Sequence, residues 1–257
     1  MNLTDLYPIT YKIMTPKLNL SDDKIFYTIE GEGELIGQPS VFLRLSSCNL
    51  TCKGFASKDS PHGCDSYISW KVKNKYTYDE LNEMIAELGY EELLRDNVIL
   101  KITGGEPLLQ QKKLLDWIWS FKKRFKFIPR IDFETNGTIL PMEDWLDLDA
   151  TFTVSPKLSS NGDAERIRYK PEVLQWHDEN NSCFKFVIQG IEDINELFEN
   201  YITKGLIDRK RVWLMPCCGS REEHNETSPL VAELCKDFGF NFSPRLQLMI
   251  WDKALKV

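Results

Sequence analysis

The chain has no run approaching the roughly 20 consecutive apolar residues that a membrane-spanning helix needs. Met1–Leu20 also lacks the apolar centre of a secretory signal. Positive charge is in short supply: 32 Lys and Arg against 39 Asp and Glu leave a net charge of −7, which argues against a footprint on nucleic-acid phosphates. The seven cysteines are odd in number, and in a chain with no export signal they are expected as reduced thiols and not as a disulfide framework. Internal repeats and low-complexity tracts are missing as well. These absences leave a cytoplasmic protein with no membrane or nucleic-acid partner, acting on a small or nucleotide-like molecule. A length of 257 residues suits one large core, hence a single domain over 1–257 with an N-terminal arm over 1–25.

What is present is an alternation of strands and helices. Apolar runs at Val41–Leu45, Val98–Thr103, Arg130–Glu134, Ala150–Val154, Cys183–Ile188 and Arg211–Met215 read as strands. Helical spacing follows at Tyr78–Leu88 behind Thr77 as N-cap, Leu108–Phe125, Met142–Leu146, near Ile194–Ile202 and at Ser228–Phe238. Phe26–Gly33 is a short β-like run ending in a turn. Such alternation predicts an α/β fold with a parallel sheet wrapped by helices. Six units are too few for the eight-unit barrel, so the expectation is an open, partial (β/α)6 barrel. Active sites in such barrels sit on loops leaving the C-terminal ends of strands. Here the polar clusters after the first four strands all lie at such ends: Ser46–Ser66, Gly104–Pro107, Thr135–Gly137 and Ser155–Lys157.

The first of these loops gathers Cys48, Cys52 and Cys64. Thiolates favour iron–sulfur clusters and zinc over hard cations. From spacing alone three readings stay open: a cluster, a tetrahedral zinc site completed by His62, or inert packing. Arg44 stands in the apolar run Val41–Leu45, where a guanidinium wants an anion such as a carboxylate. Gly104 and Gly105 let backbone approach a ligand closely. Glu106 offers a carboxylate to an ammonium, and Pro107 suits the first turn of the next helix.

Taken together, Cys48-Asn-Leu-Thr-Cys52, Cys64-Asp-Ser66, Thr103-Gly-Gly-Glu-Pro107, Glu134-Thr-Asn-Gly137 and Ser155-Pro-Lys157 resemble the 7-carboxy-7-deazaguanine synthases of the radical S-adenosylmethionine superfamily. The similarity runs in order from about Ile29 to Trp251. It implies a [4Fe–4S] cluster on Cys48, Cys52 and Cys64, S-adenosylmethionine on Gly104, Gly105, Glu106, Ser155, Pro156 and Lys157, and Mg²⁺ on Ser66, which replaces the family's threonine. It implies a pterin substrate held by Ile29, Glu30, Gly31, Arg44, Thr103, Arg245 and Gln247, with no catalytic side chain beyond the cofactors. The implied reaction is a lyase step of queuosine-type biosynthesis, from 6-carboxy-5,6,7,8-tetrahydropterin to 7-carboxy-7-deazaguanine with loss of ammonia. A reducing donor such as flavodoxin or ferredoxin and a homodimer come with it. Three departures stand out. Glu30 replaces a glutamine, and Gln247 replaces a histidine, which leaves hydrogen bonding there but no proton transfer. Eleven residues, 53–63, separate Cys52 from Cys64 where two are usual. The remaining alternatives are a radical activase acting on a protein partner, which would share the cysteines and the Gly-Gly-Glu-Pro motif, and a non-catalytic zinc protein.

Overall fold

A computed structural model describes residues 16–67 and 71–254. Its elements are β1 (Lys17–Leu20), β2 (Phe26–Ile29), β3 (Pro39–Leu45), β4 (Asn74–Thr77), α1 (Tyr78–Glu87), α2 (Tyr90–Arg95), β5 (Ile99–Gly104), α3 (Gln111–Phe125), β6 (Ile131–Thr135), α4 (Asp144–Asp147), β7 (Thr151–Val154), α5 (Glu165–Arg168), α6 (Pro171–Glu179), β8 (Cys183–Ile188), α7 (Ile191–Leu197), β9 (Val212–Pro216), α8 (Arg221–Phe238), β10 (Asn241–Phe242) and α9 (Leu246–Trp251). Strands β3, β5, β6, β7, β8 and β9 pair in parallel in that order. All six expected strands are therefore present. A two-residue seventh strand, β10, adds to β9, and β1 and β2 pair antiparallel with β3. Among the described residues β10 and β3 do not pair, so the cylinder is open on one side. No helix of the described residues is long and apolar enough to cross a membrane.

Alternation along each strand decides what the cylinder contains. One set of side chains, including Val41, Leu43, Leu100, Ile102, Phe133, Phe152, Val154, Phe184, Phe186 and Leu214, is buried in the core beneath the helices. The other set, Arg44, Lys101, Thr103, Asp132, Glu134, Thr153 and Lys185, is polar and faces inward, where all but Arg44 bond one another. The interior is a lined chamber, not the packed layers of a closed barrel.

The helices follow their local signals. Thr77 and Glu80 form a reciprocal capping box at α1, and α3 buries Leu114, Leu115, Ile118 and Phe121 as its spacing predicts, with Trp117 and Phe125 besides. The short helices α2, α5 and α9 were not expected, and two longer ones also depart from expectation. The helix expected at Ser228 begins seven residues earlier, at Arg221, capped by Ser220. Its first two turns are mainly polar because they meet a loop and not the core. Helix α6 was hidden in a polar stretch, since only Val173, Leu174 and His177 are buried along it. Of the expected N-terminal arm, 1–15 lies outside the described residues, but β1 belongs to the sheet and fully buries Leu18 and Leu20.

The 53–63 insertion is docked on the start of α8. The Glu223 carboxylate accepts from Ser57 Oγ at 3.1 Å and Gly219 N at 2.6 Å. Ser220 Oγ donates to Asp59 at 2.7 Å, and Lys253 pairs with Asp59 from beyond α9. Replacing Glu223 by Ala leaves backbone and hydroxyl donors without an acceptor, a loss of about 1–3 kcal/mol. The expected outcome of Glu223→Ala is a several-fold faster proteolytic cut within 53–63, with the rest of the chain intact, read by limited proteolysis and mass spectrometry.

Candidate active site

The chamber is a cavity of about 490 Å³ at the C-terminal ends of the strands. Its wall includes Cys48, Cys52, Cys64, Ser66, Gly104, Gly105, Ser155, Lys157, Ile29, Glu30, Gly31, Arg44, Thr103, Arg245 and Gln247. Two expected ligand residues, Glu106 and Pro156, are not on that wall.

Glu106 stands behind the wall, fully buried. Its carboxylate accepts from Leu108 N at 3.0 Å, Thr135 Oγ1 at 2.8 Å and Asn136 N at 2.7 Å. It ties the Gly-Gly turn to the end of β6, and burial pushes its carboxyl up to about 7. Its carboxylate shapes the turn from behind the Gly104–Gly105 backbone. Those glycines are required by close packing: a Cβ on Gly105 would lie 2.0 Å from Ser47 O, and one on Gly104, at φ +146°, 2.1 Å from Leu45 O. The two turns after β3 and β5 are thereby pressed together, with Glu106 N donating to Ser47 O at 2.8 Å.

The three cysteines are unbridged. Burial pushes the Cys48 thiol up to about 11 and raises that of Cys52, so neither ionises near neutrality unless a soft metal takes the thiolate. Leu50 N lies 3.4 Å from Cys48 Sγ as a donor, an arrangement suited to a metal-bound sulfur. His62 is exposed and its ring stacks on Tyr67 at 4.8 Å. Among the described residues no three His, Cys, Asp or Glu side chains converge on a single-ion position.

The opposite wall is built from charge. Lys101 lies 2.7 Å from Asp132 and 2.8 Å from Glu30. Lys185 lies 2.5 Å from Glu32 and 2.6 Å from Glu134, and Thr103 Oγ1 donates to Glu134 at 3.0 Å. Arg245 reaches Glu32 at 2.9 Å, Asp65 and the Cys218 carbonyl, so it acts as a strut as well as a wall residue. Burial alone would discharge both lysines, but Asp132 and Glu30 around Lys101, and Glu134 and Glu32 around Lys185, raise them and keep them charged. Five carboxylates, Glu30, Glu32, Asp65, Asp132 and Glu134, share three cations here, and Glu30 is the one left raised by burial. Its Oε1 accepts from Gly31 N at 2.9 Å and Glu32 N at 3.1 Å, setting the turn.

Elsewhere on the wall, Arg44 approaches Asp22 at 3.4 Å and Ser66 Oγ at 3.3 Å, and Ser66 donates to Asp65 at 3.1 Å. Phe26 and Phe42 stack at 5.2 Å beside the Arg44 guanidinium, a flat apolar surface suited to a planar ring. Gln247 donates to Glu32 at 2.7 Å, while its buried Oε1 has no donor among the described residues. Lys157 Nζ donates to Ser155 Oγ at 2.6 Å.

Residues 29–141 match the family profile described as a 4Fe–4S single cluster domain. A 7-carboxy-7-deazaguanine synthase of Hyperthermus butylicus is 31% identical over 88% of this chain and 91% of its own length, and that of Halobacterium salinarum is 32% identical over 90% of each. The chain belongs to the 7-carboxy-7-deazaguanine synthase family. A third relative of the same name, from Pyrobaculum aerophilum, is 29% identical over 93% of this chain and 97% of its own. The crystal structure of QueE from Escherichia coli shares the fold, with a TM-score of 0.61 at 21% identity, covering 90% of this chain and 94% of that one.

Sequence reasoning read Arg44 as a cation in an apolar strand but passed over Lys101 in Ile99–Gly104 and Lys185 in Cys183–Ile188, which carry the same signal. Glu32 and Asp65 gave no signal apart from their neighbours. Lys185 holds Glu134 down to about 2 against the effect of burial, and Lys185 with Arg245 lowers Glu32 in the same way. A depressed carboxyl stabilises the fold above its unfolded value near 4.5 and loses that contribution as pH falls through its folded value. The expected outcome is a Tm that declines between pH 4.5 and about 2, with Glu134→Gln flattening that decline, measured by thermal unfolding across the pH series.

Proposed function

We propose that the chain is a cytoplasmic radical S-adenosylmethionine enzyme, one domain over 1–257, that converts 6-carboxy-5,6,7,8-tetrahydropterin to 7-carboxy-7-deazaguanine with loss of ammonia. The observation that carries this reading is the single cavity shared by three cysteines, the Gly104–Gly105 turn, the Ser155–Lys157 turn and Arg44. Cys48, Cys52 and Cys64 would hold a [4Fe–4S] cluster, leaving one iron for S-adenosylmethionine along Gly104, Gly105, Ser155 and Lys157. When bound and reduced by an electron donor such as flavodoxin or ferredoxin, these cofactors supply a 5′-deoxyadenosyl radical that abstracts and returns substrate hydrogen.

The protein's own work is binding, orientation and exclusion of water. The Phe26–Phe42 pair offers one face to the planar pterin. Arg44 is set to clamp the substrate carboxylate, and the hard oxygens of Ser66 and Asp65 beside it suit Mg²⁺. Glu30 and Gln247 line the same cavity and would meet the polar edge of the ring. The residues beyond α9 and the 53–63 insertion rim the cavity, limiting the water that would quench a primary radical. A homodimer would complete that enclosure.

The test is anaerobic incubation of the reconstituted protein with dithionite, S-adenosylmethionine, Mg²⁺ and 6-carboxy-5,6,7,8-tetrahydropterin. The expected outcome is 7-carboxy-7-deazaguanine in the wild type, none with Cys64→Ala, and a KM raised about 10-fold or more with Arg44→Ala at unchanged iron content, from loss of a charge-assisted bond. A colourless protein holding stoichiometric zinc would sink the assignment.

A further inference from the structure

Cys52 sits in the left-handed region at φ 50°, a conformation that a non-glycine residue keeps only when its surroundings hold it. The turn 161–163, far along the chain, supplies that hold. The Asp163 carboxylate accepts from Thr51 N and Cys52 N, each at 3.0 Å, and from Thr51 Oγ1 at 2.8 Å. Asn161, fully buried, turns its Nδ2 toward Cys52 Sγ at 3.6 Å. The orientation of that amide is settled by its other end, because Oδ1 accepts from Asp163 N at 2.8 Å and Nδ2 also donates to Asp163 at 2.9 Å. The sulfur therefore faces an N–H and not an oxygen. The following residue pair closes the contact: a Cβ on Gly54 would lie 2.0 Å from Ser160 O.

We infer that Asn161 and Asp163 are positioning residues for the cluster ligand Cys52, Asp163 fixing the thiolate in place and Asn161 raising the reduction potential of the cluster. This rests on the cluster reading above. An N–H directed at a ligand sulfur stabilises the more negative, reduced state, and hydrogen bonds to sulfur are a main determinant of cluster potential. The redox step is the gain of one electron from an external reductant, with no bond made or broken. Neither residue belongs to the motifs that the sequence singles out, and neither lines the substrate cavity.

The test is a redox titration of the reconstituted holoenzyme followed by EPR, on the wild type, Asn161→Leu and Asn161→Asp, with iron counted in each. The expected result is near wild-type iron and a reduced-to-oxidised ratio lowered several-fold at fixed solution potential, more so for Asn161→Asp, which keeps the acceptor for Asp163 N but presents oxygen to the sulfur. For Asp163→Ala the expected result is iron lost to a chelator about 10-fold faster, and faster alkylation of Cys52 in the metal-free protein. An unchanged ratio in an iron-loaded Asn161 variant overturns the tuning role. Unchanged iron loss and alkylation in Asp163→Ala overturn the positioning role. A wild type that takes up no cluster overturns instead the reading on which both rest, and Cys52 alkylation still reports the Asp163 contact in that case.

Discussion

Glu32 is gripped at once by Lys185, Arg245 and Gln247, and the rest of the site depends on that junction. A parallel sheet with six full strands cannot close on itself, so its two ends must be joined by something other than strand pairing. The join here is the Glu30–Gly33 turn meeting the 243–247 segment. Leu246 N donates to Gly31 O at 2.9 Å and Gly33 N to Ser243 Oγ at 2.8 Å, while the Gln247 amide leaves no room for a Cβ on Gly31. Glu32 adds the ionic tie between that join and Lys185 on β8.

A buried lattice of this kind is a poor source of net stability, because the desolvation of each charge is of the same order as the attraction it gains. What it supplies is definition. Removing one member would strand the others, at about 3–5 kcal/mol, so the walls have one arrangement. The lattice also explains why so much of the chamber is polar. A closed barrel would fill these inward positions with branched aliphatics, whereas an open one with Lys101, Asp132, Glu134 and Lys185 pointing inward keeps a polar volume that a charged, polar ligand can occupy. The excess of carboxylates over cations falls on Glu30, at the position where the family otherwise has an uncharged amide.

The six strands were legible because each pairs an apolar outward face with a polar exit, and their ends fixed where the loops converge. Cys48, Cys52, Cys64 and the Gly104–Gly105 turn were legible for the same reason. Other features were not, because their signals are non-local. The ionic partners of Glu32 lie more than 150 residues away in sequence, and no window of sequence shows that pairing. The early turns of α8 were hidden because their polar residues serve the insertion and bury little apolar surface beyond His224. The structural part of Glu106 was hidden in the same way: its three donors come from Leu108 and from the distant Thr135 and Asn136, which tie the Gly-Gly turn to the end of β6.

The long interval between Cys52 and Cys64 is the feature most at odds with the family's usual spacing, and magnitudes show that it need not disturb the ligand set. Lengthening a loop from two residues to eleven costs only about 1.5 kcal/mol in closure entropy, at roughly 0.6 kcal/mol per doubling. The hydrogen bonds from Ser57 and Asp59 N to Glu223, with that from Ser220 to Asp59, offset this at about 0.5–1.5 kcal/mol each. The far end is fixed too, because a Cβ on Gly63 would lie 2.2 Å from Cys52 O, so the loop returns against its own start. Cys64 is thereby delivered beside Cys52 as a short turn would deliver it. The extra residues are spent on the gap of the cylinder, where Asp59 and Ser60 join the cavity rim.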